Sequence, residues 1–136
     1  MFFRSLCTLF VVTMLAAVGC SQNDGPQTYP VSGTVTYEGK PLKEGQIAFI
    51  PDTTKVNVGP PYSCKIVDGK FSGKSTPGIK KIEVYGSWET GEMMQMDDGS
   101  GQTPVRKAIP SKFNELSEIE IELKPEANED LAIELK

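Results

Sequence analysis

The chain has 136 residues, a formal net charge of -4 and no histidine. That length suits one domain. The acidic balance argues against nucleic acid as a partner, because phosphate recognition needs a basic face. The missing histidine removes imidazole bases, histidine triads and histidine-ligated zinc.

Residues 1–19 read as a signal peptide. Arg4 is their only charge, and Leu6–Val18 is apolar or small except for Thr8 and Thr13. The run is shorter than the ~17–25 residues of a membrane span and fits a signal h-region. Its ending, Ala16-Ala17-Val18-Gly19-Cys20, resembles a bacterial lipobox, with Ala17 where Leu is commonest. The resemblance implies that Cys20 becomes the first mature residue and carries lipid. An ordinary secretory signal with an incidental Cys20 is the plainer alternative. Ser21 after the cysteine implies, by similarity to lipoproteins of two-membrane bacteria, the outer membrane, on its periplasmic or its outer face. The expected membrane contact is therefore the lipid anchor. Cys7 leaves with the signal and Cys20 is acylated, so Cys64 stands alone. It reads as a small buried residue on a strand.

Residues 20–30 form the acylated cysteine and a polar, Gly- and Pro-containing tether. From Val31 the pattern has period two, and the expected domain runs over 31–136. Val31, Gly33, Val35 and Tyr37 alternate with Ser32, Thr34 and Thr36. Gln46–Ile50 is a second strand that Pro51 closes. Residues 51–62 read as a loop. Cys64–Val67 and Lys70–Ser72 flank Asp68-Gly69, a type I′ hairpin signal. Thr76-Pro77-Gly78 turns the chain into Ile79–Tyr85. Ile82 and Val84 share one face there, and Lys81, Glu83 and Tyr85 the other. Ser117–Leu123 and Leu131–Leu135 alternate acidic and aliphatic residues. No three-turn helical stripe is present. About seven short strands predict an all-β, antiparallel β-sandwich.

Val31-Ser-Gly-Thr-Val-Thr-Tyr-Glu-Gly-Lys-Pro-Leu42 resembles the opening of carboxypeptidase-regulatory-like domains. Gln46–Pro51, Asp68-Gly69-Lys70-Phe71, Thr76-Pro77-Gly78 and Ile109-Pro-Ser-Lys-Phe-Asn114 continue the resemblance in order and spacing. It implies a seven-stranded transthyretin-like (prealbumin-like) sandwich of the kind carried by short planctomycete-type lipoproteins. Lys80 departs from the pattern, which places an inward aromatic there. Either its stem lies along the core edge with the ammonium outside, or the register slips.

Residues 87–108 read as a mobile loop, and a loop of that length is usually functional or disordered. It holds Met93, Met94, Met96, Asp97 and Asp98, the candidate ligand-binding tip. Thioethers suit Cu(I) and carboxylates suit Ca²⁺. Copper partners and the ordered spacing of a calcium loop are both missing, so no metal or cofactor is expected. Tyr85 and Trp88 are candidates for stacking on a sugar ring, or else they cover the end of the core. Glu118, Glu120, Glu122 and Glu134 read as solvent-facing edge protection. Transthyretin-like hydrolases use histidines and a C-terminal Tyr-Arg-Gly-Ser, and this chain ends Ile-Glu-Leu-Lys. With no nucleophile–base pair evident, the expected role is non-catalytic: a cell-envelope scaffold or binding module with an envelope protein or polysaccharide as partner. The alternative is a carbohydrate-binding module at the cell surface that uses Tyr85, Trp88 and the 87–108 segment.

Overall fold

β-Branched residues at alternate positions open the fold as a strand, because they pack well on a pleated surface. In a computed structural model, which describes residues 25–54 and 59–136, that strand is β1, Tyr29–Tyr37. The remaining strands are β2 (Lys40–Pro41), β3 (Glu44–Pro51), β4 (Tyr62–Val67), β5 (Lys70–Ser75), β6 (Gly78–Gln95), β7 (Gln102–Ala108), β8 (Glu120–Leu123) and β9 (Asn128–Leu135). The expected signal peptide, Cys20 and the first part of the expected tether lie outside the described residues. The end of the tether, Tyr29-Pro30, already belongs to β1.

The described residues are all-β apart from one 3₁₀ turn at Ser111–Phe113. The strands form one curled, predominantly antiparallel sheet with neighbour order β2-β1-β5-β4-β3-β6-β7; β8 adds to β6 and β9 to β1. The described residues thus hold nine strands where the sequence predicts about seven. The β1–β9 pair is parallel, a departure from the expected antiparallel arrangement. Gly33 permits this pairing. A Cβ at Gly33 would run into the Leu131 carbonyl, and the register shifts between Val31 and Gly33. The Asp68-Gly69 hairpin forms as its sequence predicts, with φ of 49° and 75°, values that the twist of the flanking strands favours.

One core lies inside the curl. Val31 and Val35 of β1, Ile47 and Phe49 of β3, Ile66 of β4, Phe71 of β5, Ile82 and Val84 of β6, Leu123 of β8, and Ile133 and Leu135 of β9 are all buried. Phe49 and Phe71, two strands apart in the sheet, meet with ring centroids 5.9 Å apart. Cys64 is buried in the same core. Burial pushes its thiol pKa up, which suits a packing residue.

Lys80 corrects the sequence-based expectation. The register does not slip, since Lys80 pairs with Ile121 of β8 and Pro51 of β3. Its ammonium does not reach solvent: the residue is 2% exposed, and Nζ donates to Thr76 Oγ1 at 3.0 Å. Burial lowers its pKa, because desolvation penalises the charged form.

Residues 87–108 also differ from expectation. They are a two-stranded ribbon, not a loop. β6 runs through Gln95, and β7 pairs with it from Ser87↔Ala108 to Gln95↔Gln102. The first half of β6 pairs with β3 and β8, while the second half pairs with β7. The sequence hides this ribbon because residues 91–100 are all exposed, so no buried face imposes alternation on them.

Candidate functional site

A cleft of ≈ 590 Å³ opens where the ribbon leaves the body of the sheet. Its apolar floor is Tyr37, Leu42 and Trp88. Tyr37 ends β1 on the same face as Val31 and Val35. Trp88 lies two residues past Gly86 on the inward face of β6, where it packs on the core. The two rings stand 5.1 Å apart at 44°, within the favourable range for aromatic pairs. Beneath them the 3₁₀ turn brings in Phe113, whose ring meets Tyr37 edge-on at 6.0 Å. Lys112 lies 4.6 Å from the Phe113 ring and donates to the Lys136 backbone carbonyl at 2.9 Å. The floor is thus supported from behind by the C-terminal strand.

Charged side chains make the rim. Glu89 and Arg106 are direct cross-strand partners on β6 and β7. Arg106 Nη2 reaches Glu89 Oε1 at 3.2 Å, and Arg106 Nη1 reaches Glu44 Oε2 at 3.4 Å. Lys43 donates to Glu89 Oε2 at 3.0 Å. A four-residue chain, Lys43–Glu89–Arg106–Glu44, therefore ties β3 and its entry to both strands of the ribbon. The hydrogen bond from Lys43, with further help from Arg106, holds the Glu89 carboxyl below its ordinary range. Just beyond, three residues of β6, Thr90–Glu92, face the single Val105 of β7, and Thr90 Oγ1 donates to the Val105 carbonyl at 3.2 Å. This bulge turns the ribbon at the lip of the cleft, as bulges bend the strands that carry them.

The structure separates the residues that the sequence grouped. Trp88 lines this cleft, whereas Tyr85 lines a more open hollow with Gly45, Gln46 and Cys64. Tyr85 donates to Glu83 Oε2 at 2.8 Å, and that hydrogen bond raises the phenol pKa. Met93, Met94 and Met96 are 54%, 56% and 40% exposed near the far end of the ribbon. Asp98 Oδ1 accepts from the Ser100 backbone N–H at 2.9 Å, so it serves the turn. Among the described residues, no group of three or more His, Cys, Asp or Glu side chains could hold a metal ion.

The sequence does not mark Tyr37, Leu42, Lys43 or Glu44 as site residues, and it marks Glu89 and Arg106 only as members of the 87–108 segment. One usable signal was present: residues three apart on a strand face opposite ways, so Tyr85 and Trp88 could not share a face. No known family model matches the chain, and no curated protein or solved structure matches it.

Proposed function

We propose that this chain is a non-catalytic binding module of a bacterial cell envelope, a transthyretin-like β-sandwich hung from a lipid on Cys20, and that the cleft floored by Trp88 is where it holds its partner. The observation that carries the reading is the cleft itself. A concave, largely apolar floor with a few convergent charged groups is the usual form of a binding site. Its rim is held in place by ion pairs among its own residues. Supporting the fold reading, the opening motif occupies β1 and β2, the Asp-Gly motif the β4–β5 turn, and the Ile109-Pro-Ser-Lys-Phe motif the 3₁₀ turn behind the cleft. Supporting the anchor are the short apolar run and the small residues before Cys20.

Two experiments test this. Intact-mass analysis of the membrane-extracted protein is expected to show a chain that begins at Cys20 and carries acyl groups; an unmodified cysteine removes the anchor. The immobilised mature domain is then exposed to separated polysaccharide and protein fractions of the envelope. Retention of a component by the wild type, lost in Arg106→Ala and Trp88→Ala, is the expected result. Retention that both variants keep places binding elsewhere.

A further inference from the structure

We infer that the cleft takes a sugar ring, stacked on Trp88 and hydrogen-bonded through its hydroxyls to Arg106, Glu89, Glu44 and Lys43. This rests on reading the cleft as a binding site. Three features of the site lead to this ligand class.

The first is charge. The lining holds three basic side chains, Lys40, Lys43 and Arg106, against four acidic ones, Glu38, Glu44, Asp68 and Glu89. With no positive surplus, phosphates and other polyanions gain no attraction. The ion pairs among the rim groups leave little net charge to attract an ionic ligand of either sign.

The second is the pattern of hydrogen-bonding capacity left over. Arg106 has five N–H donors, and two of its nitrogens are engaged with Glu44 and Glu89. Each Glu89 oxygen accepts one bond, from Lys43 and from Arg106, and has a further lone pair. Spare donors and spare acceptors therefore lie side by side along a short rim whose planar groups pair with one another. A hydroxyl both donates and accepts, and neighbouring hydroxyls on a pyranose ring present that combination. The apolar C–H face of the same ring matches the face of an indole.

The third is the backbone at the floor of the cleft. There it is already bonded to its neighbours: Tyr37 pairs with Lys40, the Leu42 N–H reaches the Val35 carbonyl at 3.0 Å, the Asp68 N–H reaches the Lys43 carbonyl at 2.7 Å, and Ser87 lies between Glu44 of β3 and Ala108 of β7. A peptide joining as an extra strand needs free main-chain groups. At the floor, recognition falls to side chains, as a saccharide requires. The volume of ≈ 590 Å³ lies within the ~300–1,000 Å³ range of small-molecule sites and suits a short oligosaccharide.

Trp88 is the only tryptophan in the chain, so emission excited at wavelengths that only tryptophan absorbs reports this site alone. The mature protein is titrated with maltose, cellobiose, lactose and chitobiose, and separately with a proline-rich peptide. A saturable change in Trp88 emission with at least one disaccharide is expected. Calorimetry is expected to show that sugar bound about tenfold more weakly by Arg106→Ala and by Glu89→Gln. Both are rim variants that keep the aromatic floor and remain readable if Trp88→Ala fails to fold. No response to any disaccharide, or equal affinity in both rim variants, overturns the inference. If the peptide, or a retained envelope protein, depends on Trp88 and Arg106 while the sugars give nothing, the saccharide assignment falls and the binding-module reading stands. If nothing depends on those residues, both fall.

Discussion

The two halves of β6 make an instructive contrast. From Lys80 to Val84, every second side chain is buried, with Ile82 and Val84 fully enclosed. From Gly91 to Gln95 every residue is exposed. The first half has neighbours on both edges and a core beneath it; the second has only β7. An isolated two-stranded ribbon is marginal in water, so this one depends on its root, where Trp88 meets Tyr37 and Arg106 bridges two carboxylates. One strand thus contributes a wall of the core and an arm over the surface, and the cleft forms where one becomes the other.

This contrast sets a scale of consequences. Phe49→Ala removes a fully buried ring packed on Phe71 and is expected to cost about 3–5 kcal/mol, read as a drop in the urea midpoint. Lys80→Met should act in the opposite direction. Removing a buried ammonium held by one hydrogen bond is expected to stabilise by roughly 1–3 kcal/mol near neutral pH. The sign with pH follows from the lowered pKa of Lys80. Between its folded value and 10.5 the unfolded chain binds more protons, so wild-type stability gains from this group as pH rises through that window. The advantage of Lys80→Met should therefore shrink in alkali. A constant advantage would place the ammonium in water.

At the rim the effect moves from stability to binding. The depressed pKa of Glu89 means that its pairs are intact above 4.5 and are lost only as pH falls through the lower folded value. Ligand affinity is expected to hold at pH 5 and to fall below the ordinary carboxylate range, whereas Glu89→Gln should show a shallower acid limb in a calorimetric pH series. The smallest effect belongs to the tip. Replacing Thr90–Val105 with Asn-Gly joins the cross-strand pair Glu89↔Arg106 by a two-residue turn. The unfolding midpoint of the body should shift by no more than about 0.5 kcal/mol, with the Trp88 environment preserved. A large loss would show that the arm stabilises the body.

What the sequence made legible follows the same division. Wherever a core enforces alternation, as in β1, β3 and the end of β9, the strands stand close to where the pattern places them, and Asp68-Gly69 turns as its residues require. The ribbon was missed because both of its faces meet water, and an exposed strand carries no hydrophobic period. Lys80 misled because a lysine on an inward face normally carries its charge out to water, whereas Thr76 meets this one inside. The cleft was only partly visible. Trp88 is legible, with Tyr85, as an aromatic where the strand ends, but its partners come from β1, β3 and β7, and their meeting depends on the curl of the sheet. Arg106 and Glu89 become neighbours only through a register that no local pattern announces.

The most direct measurement is backbone and side-chain NMR of the protein during titration with the disaccharide that gives the strongest Trp88 response. The account predicts shifts concentrated on the Trp88 indole, Glu89, Arg106, Lys43 and Tyr37, with Met93–Asp98 silent. Shifts confined to the methionine tip, or to the hollow beside Tyr85, would contradict it.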